Sequence, residues 1–507
     1  MIGETLRKVG RQAAVYSFGD LLVKSMSFLL IPILTRAWPA DSPQMGMYDL
    51  LHLAEAVAYL FFNMGLAVAV MKVMNDYRHG RARGSVVFTT LGLLSTLSLG
   101  LFAGAWFAAP TIAPVLFGTE VPAVETAWYL RLTLLATYLS TFRFVTLSVL
   151  RVEERPWLYT FLNILNFMTY VGLGVYLVVW EQMGVLGIVY ANLTASVLML
   201  AVCSMLLQSR ARRPFSAARA RSLLEYGLPL LPNGLALWAL ALLDRWLLRE
   251  LGGDLSVVGQ YGVAYKFGMI VSFLLVIPLR TAWLPTLYTV RDHPDSDRLY
   301  GRLLTYVVAI GGAIALGLAV FASEIIAVAA DPGYIASAGP LPWIAFAYLA
   351  YGVSQVADAG ILARNRTRVY PLITATSVAV NVALCVILIP GHGMMGAAWA
   401  TLAGYVWHAL LVGRVSHRYA PIRVEWRRIG LALASAGLVW YLSTLVPDWP
   451  MAGRITAKLA VLSLYPVLLW RLGFLSEGER SILGRLRDRT GGGGEHPGDA
   501  EEEEGPA

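Results

Sequence analysis

Residues Met45–Leu51 read MGMYDLL and residues Val258–Ala264 read VGQYGVA, so Gly46 matches Gly259 and Tyr48 matches Tyr261 at an offset of 213. Two further pairs follow in the same order. VLRVEERPWLY (Val149–Tyr159) parallels ILARNRTRVY (Ile361–Tyr370), and MGVLGIVYANL (Met183–Leu193) parallels GMMGAAWATL (Gly393–Leu402), at offsets of about 212 and 209. Three matches in one order at nearly one offset imply a duplicated unit, and each copy carries six long apolar runs. Six is even, so both copies start from the same side of a membrane. The repeat is therefore parallel, about an axis along the membrane normal.

Composition supports lipid as the solvent. Of 507 residues, 57% are hydrophobic and 14% charged, with a mean hydropathy of +0.61. A soluble chain carries about 25% charged residues, so a soluble multidomain enzyme and a disordered protein are both excluded. Each crossing helix needs about 20 apolar residues, and long apolar runs in lipid are helices because only helices and closed barrels satisfy their backbones there. The expected fold is all-α, a polytopic membrane protein with about 14 transmembrane helices. It comprises a cytoplasmic N-terminus (1–12), an N-terminal six-helix lobe (13–208), a basic linker (209–223) and a C-terminal six-helix lobe (224–413). A basic loop (414–428), two additional helices (429–471) and a cytoplasmic tail (472–507), acidic at its end, complete it.

Loop charge sets the expected orientation. Thirty of the forty Lys and Arg residues fall in alternate loops, among them Arg7, Lys8, Arg11, Lys72, Arg83, Arg151 and Arg219, whereas the opposite side has only Arg36, Arg245, Arg249 and Arg454. That asymmetry puts both termini in the cytoplasm. It also accounts for the net charge of +8 without nucleic acid.

Enzyme motifs are sparse. The chain has no GxxxxGK[ST] phosphate loop and no HExxH zinc motif. Asp295-Ser296-Asp297 reads as a polar turn, and Cys203 and Cys385 read as buried thiols. The outer loops are short, which argues against a membrane-embedded glycan polymerase or ligase. The expectation is a protein that is not an enzyme and has no metal site.

Charges inside spans carry the chemistry, since each costs about 2.5–3.5 kcal/mol at mid-helix. Lys24 lies in the first span with Asp20 one turn away; the two form either a neutralised pair or a cationic site in a cavity. Asp49, His52, Glu55, Tyr59 and Asn63 recur at three- and four-residue steps and so share a helical face. This stripe is assigned to a cavity wall, for substrate or for protons. Tyr261, Tyr265 and Lys266 occupy the corresponding depth of the eighth span, and Arg131 lies a third of the way into the fourth. Arg143, Arg280, Asp358, Asp244 and Lys458 lie near helix ends, where snorkelling or a local ion pair is expected, and Arg245 and Arg249 read as interface anchors. Pro32, Pro229 and Pro232 fall in the first helix of each repeat and mark either static kinks or bends used in gating.

The pattern resembles the multidrug/oligosaccharidyl-lipid/polysaccharide (MOP) exporter superfamily, and within it the bacterial polysaccharide exporters of the O-antigen flippase type. The stretches that carry the resemblance are YGLPLLPNGLALWALALLDRWLL (Tyr226–Leu248), VGQYGVAYKFG (Val258–Gly268) and NVALCVILIPGHGMMGAAWATL (Asn381–Leu402), and it spans residues 10–470. It implies a bacterial inner-membrane transporter that flips undecaprenyl-pyrophosphate-linked oligosaccharide units to the outer leaflet for O-antigen, capsule or exopolysaccharide synthesis. Partners implied are that lipid-linked oligosaccharide, membrane lipids and polysaccharide polymerase machinery. No cofactor is implied beyond coupling to a proton or sodium gradient or to the membrane potential. The pyrophosphate and sugar cavity would fall on Lys24, Lys266, Arg131, His52, Tyr59, Asn63 and Tyr265, and ion coupling or charge balance on Asp20, Asp49 and Glu55. An ion-coupled drug or metabolite exporter and a lipid II flippase are the alternatives of the same fold.

Overall fold

From residue 44 onward the apolar runs are helices, as backbone satisfaction in hydrocarbon requires. The computed structural model describes residue 28 and residues 30–77, 81–208, 214–290 and 293–475, and none of these is in a strand. Eleven helices among the described residues are long and apolar enough to cross a bilayer. In chain order the helices are α1 (Leu30–Ala37), α2 (Gln44–Asn75), α3 (Arg83–Phe117), α4 (Ala123–Val152), α5 (Pro156–Trp180) and α6 (Val185–Gln208). There follow α7 (Ala217–Glu250), α8 (Leu255–Leu284), α9 (Ser296–Val320) and α10 (Leu341–Ala363).

The next helical stretch, Thr367–His417, is a hairpin. Gly393 leaves the helical region (φ 54°, ψ −132°). A Cβ on Gly396 would stand 2.4 Å from the Leu388 carbonyl oxygen, a distance that only a chain folded back on itself allows. Its arms are α11 (370–392) and α12 (394–417), and α13 (Trp426–Thr444) and α14 (Met451–Arg471) complete the chain. Most of the first expected helix, 13–35, lies outside the described residues, as does the acidic tail.

Several helices are interrupted. In α2, Met64 and Gly65 adopt φ of 48° and 70°, and the helix restarts when Asn63 Oδ1 accepts the Ala67 N–H at 3.1 Å. In α7 a 3₁₀ turn at Leu228–Leu230 separates Ala217–Gly227 from Leu231–Glu250. The first part of α7 was expected as linker. It is helical because Ser216 caps it and because Ala220 and Leu223 are buried against Leu66, Val70, Val86 and Val145. The start of α8 is held from two sides: Asp254 accepts the Val257 N–H at 2.9 Å, and Glu120 accepts the Leu255 N–H at 3.1 Å. The Ser256 hydroxyl and the Val257 N–H hold the Asp254 carboxyl below the usual carboxylate range.

Among the described residues, those up to Val424 form one packed unit and those from Glu425 onward another. Within the first, α2 packs against α4 of its own repeat and also against α7 and α8 of the other. α4 packs on α3 and α6, and α10 on α9 and on the α11–α12 hairpin, which also receives α7. In the second unit α13 and α14 pack on each other. They leave Leu438, Tyr441, Leu459 and Val467 exposed, as lipid-facing helices do.

Candidate functional site

The two repeats meet where their matching sequences meet. A Cβ on Gly46 would stand 1.9 Å from the Leu255 carbonyl oxygen, and a Cβ on Gly259 would stand 2.8 Å from the Gly46 nitrogen. Only glycine at both positions lets the backbones of α2 and α8 touch. One turn further along α2, the Asp49 carboxylate pairs with Lys266 Nζ at 2.5 Å. Its second oxygen has no hydrogen-bond partner among the described residues and lies on Gly262, where a Cβ would be only 1.3 Å away. Gly262 is one turn before Lys266, so α8 supplies both the space for this carboxylate and its counter-charge. The ammonium also lies 5.0 Å from the centre of the Tyr48 ring, which adds a cation–π attraction.

The rest of the α2 stripe divides. His52 is largely exposed and contacts Glu55 at 3.4 Å, and Glu55 accepts from Asn192 Nδ2 at 3.5 Å. Tyr59 packs edge-on against Phe144 at 4.6 Å. Asn63 is buried as the cap at the α2 break. Arg143, expected to snorkel or to form a local ion pair, donates to Asn163 Oδ1 at 3.2 Å and lies 4.3 Å over the Phe144 ring. It therefore belongs to the polar interior of the first repeat, beside Tyr59.

Other expected site residues lie apart. Arg131 donates to the Trp106 carbonyl at 3.2 Å, between α3 and α4. Tyr265 is buried among the rings of Tyr261 and Tyr348. Pro32 sits in the first turn of the described part of α1, while Pro229 is the middle residue of the 3₁₀ turn of α7 and Pro232 follows that turn. Against that turn lies the break in α2: a Cβ on Gly227 would be 2.4 Å from the Met64 carbonyl oxygen, and one on Gly65 would be 2.5 Å from that of Gly227. Asp20 and Lys24 lie outside the described residues.

Asp244, expected near a helix end with snorkelling or a local ion pair, and Arg245, expected as an interface anchor, are both buried. Asp244 accepts from Tyr261 Oη at 2.7 Å and Thr401 Oγ1 at 2.9 Å, and Arg245 Nη1 stands 3.6 Å from its other oxygen. The Arg245 guanidinium lies 4.0 Å over the Tyr265 ring. Asn381 is fully buried, and neither amide atom has a hydrogen-bond partner among the described residues. It faces Gly404 and through it Leu240, one turn from Thr401 and Asp244. The set of a carboxylate, two hydroxyls and an amide is of the oxygen-rich kind that takes a proton or a small hard cation. The repeat offset pointed to Tyr261 but gave no sign that α7 and α12 converge on it.

Among the described residues no group of three or more His, Cys, Asp or Glu gathers for a metal, and both cysteines are buried and free. Asp297 is ion-paired with Arg423 and Asp295 with Arg298, so the DxD is tied to arginines.

Three hydrogen bonds reinforce the contact at the Gly46 end of α2. Trp246 Nε1 donates to the Val115 carbonyl (3.0 Å), Gln260 Nε2 to that of Ala40 (3.3 Å), and Tyr334 Oη to that of Trp38 (2.9 Å). This end is the one with few basic residues.

Comparison with known proteins fits this arrangement. A family model described as polysaccharide biosynthesis protein matches residues 42–338. No curated protein matches the chain in sequence. Among solved structures, the lipid II flippase MurJ in an inward closed conformation superposes with a TM-score of 0.69 at 14% identity, over 93% of this chain and 99% of that one. An inward-facing multidrug-resistance MATE family transporter of the MOP superfamily gives 0.65 at 15% identity, over 82% and 99%. A MOP superfamily transporter from Pyrococcus furiosus, described as having a binding pocket of reversed polarity, gives 0.58 at 15% identity, over 83% and 96%. The chain is a multi-pass membrane protein with the fold of the MOP transporters, and since the family model spans more than half its length, it belongs to the polysaccharide biosynthesis protein family.

Proposed function

We propose that this protein carries an undecaprenyl-pyrophosphate-linked oligosaccharide from the cytoplasmic to the outer leaflet of a bacterial inner membrane, by alternating access and without covalent chemistry. The observation that carries the reading is Lys266, an ammonium held by Asp49 at the seam of the two repeats beside the polar wall of His52 and Glu55. A pyrophosphate is the ligand such a cation suits. Asp49 keeps the charge neutral when no phosphate is present, which lowers the cost of a buried ammonium. The sugars would meet the polar wall while the polyprenyl chain stays in the bilayer. Membership in a polysaccharide biosynthesis family supports a glycan as the cargo.

In this reading both termini are cytoplasmic, and the Gly46–Gly259 contact is the outer closure. The pair of breaks at Met64–Gly65 and Leu228–Leu230 is where the two repeats bend relative to one another. Ion coupling falls on Asp244 with Tyr261, Thr401 and Asn381, in place of Glu55, because Asp244 is the more deeply buried acid.

Equilibrium binding to the purified protein tests the reading. The lipid-linked oligosaccharide should bind, free pyrophosphate should compete with it, and a cationic dye should not. Dye binding that pyrophosphate leaves unchanged would overturn it.

A further inference from the structure

A cavity lies away from the seam. It has a volume of about 860 Å³ and is bounded by α1, the loop that follows it, and the end of α5. That volume falls in the range of about 300–1,000 Å³ typical of small-ligand sites. One wall is apolar, formed by Ile33, Val175 and Val179, and the rim is polar, with Arg36, Gln44 and Gln182. Trp38 also lines it, and its indole N–H is buried with no acceptor among the described residues.

Arg36 is the informative residue. Its guanidinium is exposed and, among the described residues, donates only to the carbonyls of Pro32 (3.1 Å) and Val328 (3.4 Å). Those bonds aim the group but leave its charge uncompensated, since no carboxylate pairs with it among the described residues. The nearby Glu181 accepts from Tyr176 Oη at 2.6 Å instead. Arg36 also sits on the basic-poor side of the chain, so the general excess of arginine in the other loops does not explain it. The stacked rings of Tyr176 and Trp180, both exposed, mark the end of α5 as the membrane–water boundary. An apolar wall leading down from that boundary, under a rim with a free cation, matches an amphiphile with an anionic head.

We propose that this groove binds an acidic phospholipid, with its phosphate at Arg36 and an acyl chain along Val175 and Val179. The lipid steadies the loop between α1 and α2, which itself forms part of the closed end through Trp38 and Ala40. The site shares no residue with the Asp49–Lys266 seam and does not depend on the cargo.

The experiment uses the full chain in nanodiscs of phosphatidylethanolamine doped with a photoactivatable phosphatidylglycerol, followed by peptide mapping of the label. Label should fall on the segments 30–44 and 175–184. Arg36→Ala should reduce it there by about fivefold, the worth of one basic residue at a lipid surface, and Arg36→Lys should restore most of it. Label on the basic loops of the opposite face serves as the internal control and should not change. Val179→Trp, which fills the groove and keeps the cation, should also reduce it. Undiminished label in both Arg36→Ala and Val179→Trp would overturn the proposal. So would absence of the phosphatidylglycerol label with strong labelling of the same segments by a polyprenyl pyrophosphate probe, because the groove would then belong to the transported lipid.

Discussion

Gly46 and Gly259 hold equivalent places in the two sequence repeats and stand against each other, so close that a Cβ on Gly259 would be 2.8 Å from the Gly46 nitrogen. The duplication thus brings its own matching positions face to face. One turn on, the symmetry breaks: α2 offers Asp49 while α8 offers Gly262 and, a turn later, Lys266. A seam with identical residues on both sides would have placed two like charges together.

Gly262→Ala puts a methyl group where Asp49 Oδ2 now lies. The carboxylate must move, and overpacking of this kind costs about 1–3 kcal/mol. Thermal unfolding in detergent should show the loss, and Asp49→Ala should cost less in this background than in the native chain, because it also removes the clash. Full stability in Gly262→Ala would mean that the seam is loose.

Lys266→Ala and Asp49→Ala each strand a buried charge. Breaking a fully buried pair costs about 3–5 kcal/mol, and the partial exposure of Lys266 brings the expected cost to about 1–3 kcal/mol for each. The exchanged pair, Asp49→Lys with Lys266→Asp, should be more stable than either charge reversal alone. A double-mutant cycle read by denaturant unfolding gives the coupling, and a value near zero would show that the two side chains do not act as a pair.

Gly227→Leu wedges a side chain into the break of α2, where the nearest atom is the Met64 carbonyl oxygen. If these breaks serve bending, leaflet exchange should slow by tenfold or more with little change in cargo affinity. Equal loss of rate and affinity would make the contact a packing feature only.

Asp254→Ala should destabilise the start of α8 by about 1 kcal/mol, the usual worth of such a cap. The folded carboxyl titrates below its unfolded value of about 3.9. Its contribution is therefore fully present above that value and is lost as the pH falls through the folded one. The stability gap between the native chain and Asp254→Asn should be flat above about pH 5 and narrow below about pH 4. A gap that widens on acidification would contradict the capping role.

The α-helical membrane fold was legible because its signals are local: apolar runs, loop charges and the repeat offset. The α2 stripe was legible in part, since Asp49 and Lys266 each stood out as costly charges, yet nothing local says that they pair across 217 residues. Asp244 and Arg245 were misplaced for the same reason. Distance from a helix end is a fair guide to burial in lipid, but here Tyr261, Thr401 and Tyr265 from other helices cover them. Tyr265 and Arg131 each face their own repeat, which no local signal in the sequence reveals.

Leaflet exchange in proteoliposomes tests the central claim most directly. A fluorescent undecaprenyl-pyrophosphate oligosaccharide should equilibrate between leaflets with the native chain, and Lys266→Ala should abolish that exchange while remaining inserted and folded. Undiminished exchange in Lys266→Ala would remove the phosphate role from the seam, and no exchange by the native chain would contradict the carrier reading itself.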